Sequence, residues 1–343
     1  MSKVWRYSLL VFGVLLVMGA CFVWFTYREL YINKVGNKNT VIYITDGDNV
    51  NSVYKKLDSA GISISENLYN LFVELKNYTP GAHPGRYRID NISFNQLINR
   101  LRIGDEDALD FTFLATRYLS DIFGRADKAF LYIDSIQLMN FVNDERQIEA
   151  LGFTKATLPA LFIPNTYEMF WTTTQEEFFQ RLRREYTSFW NEGRTAKAKA
   201  IGLTPLEVST LASIIDEESS YLPEYRRIAG VYLNRLKRGM KLEADPTLKY
   251  ANNDFDAKRV LDRHKLIDSP YNTYMYAGLP PGPIRVPSPQ AIDAVLNAEK
   301  HSFIFFCANS DFSGTHVFAK TLNEHNNNAR KYRKALQQRR IYR

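Results

Sequence analysis

The chain has 343 residues, enough for two domains with hydrophobic cores and too many for a single small module. Its 45% hydrophobic and 24% charged residues are close to globular averages, which excludes a disordered chain, and its two cysteines exclude a disulfide framework or a cysteine-based zinc site. The net charge of +7 is carried by residues 330–343, which hold seven Lys or Arg and no acid, so the remainder is neutral and no nucleic-acid-binding surface is predicted.

Residues 8–27 form an uncharged apolar run that, as a helix, is long enough to cross a hydrocarbon core of about 30 Å. Trp24 and Tyr27 lie near its end, where interfacial aromatic residues are common. Because no small-residue cleavage site follows, we predict an uncleaved anchor. Lipidation at Cys21 is the alternative, but the apolar run continues past that residue. The prediction is a cytoplasmic tail over 1–7, a single pass through the cell (inner) membrane, and the bulk of the chain on the periplasmic or extracytoplasmic side.

After a polar linker over residues 28–39, alternating apolar residues and helical spacings predict a small α+β unit over residues 40–104. Its expected elements are strands at 40–45 and 85–89 and helices at 50–60, 65–76 and 93–102. In the second helix, four apolar side chains recur at helical spacing and predict a buried stripe: Leu68, Leu71, Phe72 and Leu75.

Residues 105–343 predict a larger mixed α/β domain without a motif for a nucleotide, a metal or a serine nucleophile. Its expected elements include a strand at 109–115 that continues over 116–123, helices at 175–191 and 222–238, and an apolar strand at 303–307. We interpret Cys307, in that strand, as a buried core thiol. His316 and His325 are too loosely spaced to predict a metal site, and no metal or cofactor is expected. The basic tail at 330–343 is interpreted as a solvated helix end, with contact to a membrane surface or an anionic polymer as the alternative.

The start of one helix is defined by three consecutive capping signals. Thr204 is a good N-cap residue, Pro205 occupies the first helical position, and Glu207 completes a capping box. The phase of the helix is therefore fixed from its first residue.

An apolar stripe on this helix leads directly to a carboxylate. Glu218 stands seven residues after Leu211 and four after Ile214, so it continues their face. Each residue turns the helix by about 100°, and Asp216 and Glu217 consequently point away from that face. Of the three adjacent acids, Glu218 alone is predicted to lie along the apolar side.

Two interpretations of Glu218 follow. On an apolar face the carboxyl loses hydration, so its pKa should rise and it should hold a proton near neutral pH, as a general acid for glycosidic cleavage requires. Alternatively, Glu218 lies at a frayed helix end, where it is solvated or pairs with Arg226 or Arg227.

The following helix, 222–238, carries Tyr232 on its apolar stripe and has Gly239 as its C′ residue. Loops rich in Pro, Gly, Tyr and Asn come next, at 242–247, 269–274 and 277–284. Such loops have restricted backbones and present phenol and amide groups that suit sugar rings and N-acetyl groups. Ordinary turns are the alternative.

Short motifs from this region and from further upstream occur together and in order. They are Leu211-Ala-Ser-Ile-Ile-Asp-Glu-Glu-Ser219, Val231-Tyr-Leu-Asn-Arg-Leu236, Gly239-Met-Lys-Leu242, Asp245-Pro-Thr247, Tyr271-Asn-Thr-Tyr274, Gly278-Leu-Pro-Pro-Gly282 and Thr315-His-Val-Phe318, with Gly85-Arg-Tyr87 and Pro164-Asn-Thr-Tyr167 upstream. In these motifs the chain closely resembles the MltG/YceG-like family of endolytic murein (peptidoglycan) transglycosylases. It departs from the family pattern at Asn165, where Asp is usual, and at Asp216 and Glu217, where Glu-Lys is more usual.

The resemblance implies an α+β protein with a LysM-like domain over 40–104 and a catalytic domain over 105–343. It places the catalytic acid at the second Glu of the helix-end motif, Glu218, which the periodicity selects separately. The substrate-binding residues that we predict from the resembling loops are Asn272, Tyr271, Tyr274 and Asp245.

The implied reaction is non-hydrolytic cleavage between N-acetylmuramic acid and N-acetylglucosamine in nascent strands, leaving a 1,6-anhydro end and stopping elongation. Expected partners are peptidoglycan strands, the membrane and, by resemblance, the peptidoglycan synthases. One alternative is a hydrolytic muramidase with Asp245 as the second carboxylate, because ordinary glycosidases use two. The other is a membrane-tethered glycan-binding protein without catalysis.

Overall fold

A computed structural model describes residues 3–256 and 260–339. The chain divides into a small unit, residues 1–110 with 168–173, and a large unit, residues 111–167 with 174–343. The helices are α1 Lys3–Tyr27, α2 Val50–Ser59, α3 Glu66–Leu75, α4 Phe94–Ile103, α5 Leu119–Ala129, α6 Ser135–Asn143, α7 Glu145–Ala150, α8 Gln175–Phe189, α9 Glu192–Ala200, α10 Pro205–Glu218, α11 Tyr225–Lys237, α12 Asp245–Ala251, α13 Pro289–Leu296 and α14 Leu322–Gln338. The strands are β1 Lys34–Val35, β2 Val41–Ile44, β3 Gly85–Arg88, β4 Ile92–Ser93, β5 Leu109–Phe113, β6 Asn165–Met169, β7 Phe305–Ala308 and β8 His316–Ala319. The mixed α+β composition agrees with the predicted class.

The apolar run predicted to be a membrane anchor is helical. It forms α1 and continues without a break into a π-helical turn, Arg28–Ile32. Residues Trp5–Ile32 are together long and apolar enough to cross a membrane. The predicted N-terminal apolar helix is therefore confirmed, and its orientation stays a prediction.

The segment expected to be a linker is partly built into the small unit. Leu30, in the π-helical turn, is 5% exposed and belongs to the core of that unit. Val35, in β1, pairs with Ile92 in β4. The prediction of a polar linker over 28–39 was wrong for these residues, because their apolar side chains fill the core instead of bridging to it.

The rest of the small unit follows the predicted elements closely. β2 and β3 pair antiparallel, with Val41 opposite Arg88 and Ile44 opposite Gly85. Side chains that accept hydrogen bonds from the first turn begin α2, α3 and α4, and these N-caps are Asn49, Ser65 and Ser93. Whether this unit is LysM-like stays a prediction.

Helix α3 is rotated relative to the predicted stripe. Its buried residues are Tyr69, Phe72 and Val73, whereas Leu71 and Leu75 are 49% and 67% exposed. The cause is the Tyr69 ring, which lies fully inside the core between the rings of other aromatic residues. Aromatic volume therefore sets the rotation, and two leucines expected in the core remain on the surface.

The core of the large unit surrounds α10. Every residue from Val208 to Ile215 is buried, so α10 is enclosed on all sides and not only along one stripe. Its predicted start is confirmed, since Thr204 and Glu207 form a capping box and Pro205 is the first helical residue. A helix enclosed in this way fixes the position of its last residue, Glu218.

Two predicted elements of the large unit were wrong. Residues 116–123 do not continue the strand, because Leu119 begins α5 and the apolar side chains of Ile122, Phe123 and Ala126 form its buried face. The segment 242–247 is not wholly a loop, since α12 begins at Asp245. In both places a helix begins soon after an irregular segment of the chain.

Candidate active site

A cavity of about 470 Å³ lies in the large unit at the C-terminal end of α10. Its walls come from α10, α11, the segments around 243 and 274, the β7–β8 hairpin and α14. The residues that line it are Glu218, Tyr232, Arg235, Leu242, Glu243, Asp245, Tyr274, Phe305, Phe306, Cys307, Ala308, His316, Leu322, His325, Asn326 and Tyr332. Three of the five predicted site residues, Glu218, Asp245 and Tyr274, are therefore brought together.

The three adjacent carboxylates at the end of α10 have different surroundings. Asp216 accepts from the backbone N–H and the hydroxyl of Ser288, at 2.6 and 2.7 Å, and so holds the N-cap of α13. Glu217 pairs with Arg117 at 2.6 Å and with Arg285 at 2.9 Å. Both acids are engaged within the protein, and Glu218 alone faces the cavity.

Glu218 is half-buried, and its polar partner in the cavity wall is a phenol. Tyr232 Oη donates to Glu218 Oε1 at 2.6 Å. Burial raises the pKa of Glu218 to about 7, the Tyr232 hydrogen bond opposes that rise, and the negative charge of Asp245 adds to it. A large fraction of this carboxyl is consequently protonated at neutral pH.

The alternative in which Glu218 pairs with a nearby arginine is wrong. Arg226 Nε donates to the carbonyl of Asn297 at 2.6 Å, and Arg227 pairs with Glu299 at 3.0 Å. Both guanidinium groups are therefore held by residues that directly follow the C-terminal end of α13. No cation neutralises Glu218 by direct contact among the described residues, and this leaves the raised pKa in place.

A second carboxylate, Asp245, is fixed by a network of hydroxyl groups. The Tyr274 hydroxyl donates to Asp245 Oδ1 at 2.6 Å. Thr273 Oγ1 accepts from the Ala244 N–H at 3.0 Å and lies 2.8 Å from Thr247 Oγ1, with both threonines buried. The Asp-Pro-Thr and Tyr-Asn-Thr-Tyr motifs thus form one bonded unit that places Asp245 and Tyr274 in the cavity wall.

Asn272 and Tyr271 lie elsewhere. Asn272 is 0% exposed, and its amide donates to the carbonyls of Lys265 and Ile267 and accepts from the N–H of Tyr274. Tyr271 packs against Tyr250, with ring centroids 4.6 Å apart. Neither side chain lines the cavity, so their direct contact with sugar stays a prediction. The geometry gives Asn272 a different task, which is to shape the loop that carries Tyr274.

The cavity wall formed by the β7–β8 hairpin and α14 was not anticipated from the sequence. Cys307 was expected in the core, but it is half-buried and lines the cavity, because one face of the β7–β8 hairpin is open to the cleft. His316 Nδ1 lies 2.9 Å from Glu224 Oε2. His325 stacks on Phe305 with ring centroids 5.3 Å apart. The clustering of His and aromatic residues after position 300 was the available signal.

Within residues 3–256 and 260–339, no group of three or more His, Cys, Asp or Glu side chains is arranged to hold a metal ion.

A model of the YceG-like family matches residues 42–331. The chain belongs to the YceG-like family. The match includes Glu218, Asp245 and Tyr274, which the structure gathers around the cavity.

Known proteins resemble this YceG-like chain over most of its length. It is 28% identical over 333 residues to a Bacillus subtilis (strain 168) protein named endolytic murein transglycosylase, covering 92% of this chain and 91% of that protein. A Streptococcus pneumoniae (strain D39) protein of the same name is 26% identical over 362 residues, and the match covers 95% of this chain but 64% of that protein. A 2.6 Å crystal structure of a yceG-like protein from Listeria monocytogenes has a TM-score of 0.54 and 23% identity, covering 84% of this chain and 98% of that one. That likeness shows that the two chains share a fold.

Proposed function

We propose that this YceG-like protein is an endolytic peptidoglycan lytic transglycosylase that cleaves the bond between N-acetylmuramic acid and N-acetylglucosamine. The observation that carries the proposal is the Glu218 carboxyl, which faces a cavity and has a pKa of about 7. The proteins that match over most of this chain and are named endolytic murein transglycosylase support it.

In the first step, the Glu218 carboxyl gives its proton to the oxygen that bridges the two sugars. The bond between that oxygen and C1 of the muramoyl residue breaks, and positive charge develops at C1. A carboxyl that is protonated near neutral pH is suited to this step, because general acids work best when their pKa lies near the working pH.

In the second step, the Glu218 carboxylate takes the proton of the muramoyl C6 hydroxyl as O6 bonds to C1. The product is a 1,6-anhydro ring, Glu218 is protonated again, and no water is consumed. The nucleophile belongs to the substrate, so one protein residue can act first as acid and then as base. A glycosidase that hydrolyses its substrate ordinarily needs two carboxylates.

Other residues of the cavity are assigned supporting roles. Tyr232 orients the Glu218 carboxyl through its 2.6 Å hydrogen bond. Asp245 lies in the same cavity, and its negative charge opposes ionisation of Glu218, which keeps the acid protonated. Tyr274, which donates to Asp245, is the predicted sugar-binding residue that the geometry supports best.

Mass spectrometry of the products tests the reaction. Purified peptidoglycan or soluble glycan strands are digested with the full chain, and the new muramoyl ends are analysed. Ends that are one water lighter than the hydrolysed sugar are expected. Hydrolysed ends would support a muramidase with Asp245 as second carboxylate, and binding without new ends would support a glycan-binding protein.

The proposal includes a location. Helix α1 anchors the chain in the cell (inner) membrane, with the remainder on the periplasmic or extracytoplasmic side where peptidoglycan is made. In the LysM-like interpretation, residues 40–104 bind glycan strands and residues 105–343 form the catalytic domain. Family resemblance supports peptidoglycan synthases as partners, since cleavage near the membrane would end elongation of nascent strands.

A further inference from the structure

The small unit exposes an apolar patch beside the end of α1. Leu71 and Leu75, one helical turn apart on α3, are 49% and 67% exposed. Tyr31 and Ile32, in the turn that follows α1, are 42% and 47% exposed. Scattered apolar residues are normal on a protein surface, but these four lie on two elements that an aromatic contact joins.

A ring contact joins the two elements. Tyr31 meets the ring of Phe72 edge-on, with centroids 6.1 Å apart. Phe72 is 3% exposed and lies next to Leu71 in α3, one turn before Leu75. The exposed leucines therefore flank the place where the chain leaves α1 and enters the small unit.

The depth of these residues relative to a membrane follows from the direct connection between α1 and the small unit. The helical path runs unbroken from α1 to Ile32, and the buried Leu30 fixes that path to the core of the small unit. Tyr31 lies four residues beyond Tyr27, the end of the apolar run, or about 6 Å farther along the helix axis. The headgroup layer on each side of a bilayer is about 5–7 Å thick. With α1 across the bilayer, Tyr31 consequently falls at headgroup level, where its ring meets Phe72 of α3.

Side chains around the patch have the chemistry of a membrane interface. Lys76 Nζ lies 5.3 Å from the centre of the Phe72 ring, directly after Leu75. The rings of Trp24, Tyr27 and Tyr31 stack in sequence, at 6.3 and 5.1 Å between centroids. Aromatic rings and Lys side chains with apolar stems are typical of the boundary between lipid chains and headgroups.

We propose that Tyr31, Ile32, Leu71 and Leu75 form a second membrane contact, which lies in the headgroup layer of the leaflet where α1 ends. The small unit then rests on the bilayer in one orientation instead of moving freely on a tether. The inference rests on the proposed anchoring of α1, and it goes beyond anchoring because it assigns a lipid contact to the folded unit.

The experiment places a fluorophore at single cysteines in the full-length chain. In a background with Cys21→Ala and Cys307→Ala, an NBD label is attached to Leu71→Cys, to Leu75→Cys or to the control Glu66→Cys. Glu66 is exposed in the first turn of α3, about half a helical turn around the axis from Leu75. The labelled proteins are reconstituted into phosphatidylethanolamine–phosphatidylglycerol vesicles, and circular dichroism checks their fold.

Lipids with doxyl groups near the headgroup should quench the labels at 71 and 75 at least twofold more than the label at 66, and aqueous iodide should show the opposite order. Equal access of iodide to all three labels in folded protein would overturn the proposal. Protection that disappears in nanodiscs holding one copy would also overturn it, because a second copy would then cover the patch.

Alkaline carbonate extraction of the same vesicles separates this inference from the anchoring on which it rests. Protein that stays in the pellet but has aqueous labels at 71 and 75 contradicts the second contact alone. Protein released by carbonate contradicts both the anchoring and the contact. Turnover on glycan strands tests the proposed reaction separately, so neither the labelling result nor the extraction result decides it.

Discussion

Tyr232 Oη lies 2.6 Å from Glu218 Oε1 and donates a hydrogen bond to it across the junction of α11 and α10. The Tyr232 side chain is 1% exposed, so its hydroxyl is held in place. This bond favours the ionised carboxylate, whereas burial favours the protonated acid, and burial is the larger effect. Tyr232 therefore both orients Glu218 and moderates the rise of its pKa.

Replacing Tyr232 with Phe should raise the pKa of Glu218 further. The first step needs the protonated carboxyl, so turnover falls as pH rises through that pKa. Without the hydrogen bond, the alkaline limb of kcat/KM should move to higher pH than the value of about 7 expected for the unchanged enzyme. Initial rates on soluble glycan strands from pH 5 to 9 measure the shift. An unchanged profile with a lower rate would show that Tyr232 orients the acid but does not tune it.

Replacing Asp245 with Asn should have the opposite effect. The negative charge of Asp245 raises the pKa of Glu218, so its removal should lower that pKa and move the alkaline limb to lower pH. Asn can still accept from the Tyr274 hydroxyl, which makes the substitution a matched control for the geometry. A muramidase that used Asp245 as its second carboxylate would instead lose nearly all turnover.

Glu218→Gln should abolish turnover while leaving the fold intact. Gln keeps the shape and can accept from Tyr232, but it cannot donate and recover a proton, and loss of general acid–base catalysis typically reduces rates by about 10²–10⁴-fold. Stability should also change with pH in a defined way. Because the folded-state pKa is raised from 4.5 to about 7, the unchanged protein should lose stability as pH rises through that window, and the variant should lack this slope. Retained turnover in Glu218→Gln would contradict the proposed acid.

The Glu217→Gln variant tests whether Glu217, next to the proposed acid, stabilises the fold or takes part in catalysis. Glu217 holds Arg117 and Arg285, and Gln can accept from only one of them with full strength. Hydrogen bonds to charged groups contribute about 1.5–3 kcal/mol, so the variant should unfold at lower denaturant concentration. Turnover per folded molecule should stay close to that of the unchanged protein. Denaturant titration and glycan cleavage, both measured on one preparation, give the stability and the turnover of the variant. A folded but inactive variant would show that Glu217 takes part in the reaction.

The part of this site that could be predicted from sequence was the part set by local periodicity. The capping box at Thr204 fixed the phase of α10, and the phase selected Glu218 among three adjacent acids. Tyr232 was assigned only to an apolar stripe, because its contact with Glu218 depends on how α11 packs beside α10. The periodicity of one helix carries no information about the side chains that another helix brings to it.

Residues outside helices were harder to assign for a related reason. Asn272 has the chemistry of a sugar ligand, yet its amide is used by backbone groups of its own loop, and only tertiary structure decides between such uses. Leu71 and Leu75 have the spacing of core residues, but the volume of Tyr69 turned α3 so that they face outward. The spacing of apolar residues predicts which side chains share one face of a helix, but tertiary packing decides which face is buried.

Cys307 offers a test of the cavity that does not involve the carboxylates. It lines the wall formed by β7, so a bulky maleimide on its thiol should fill the cleft and block glycan strands. Burial raises the pKa of the Cys307 thiol, and modification should therefore be slow at pH 7 and faster as pH rises. Turnover is measured before and after labelling in a Cys21→Ala background.

Cys307→Ser in the same background is the matched control for that experiment. The hydroxyl is close in size to the thiol but does not react with maleimide, so turnover should be near that of the parent and should survive the reagent. Substrate added before the reagent should slow inactivation of the parent, because a bound strand would occupy the space next to Cys307. Equal inactivation of both proteins, or full turnover of a parent labelled at Cys307, would show that glycan strands do not pass along the β7 wall.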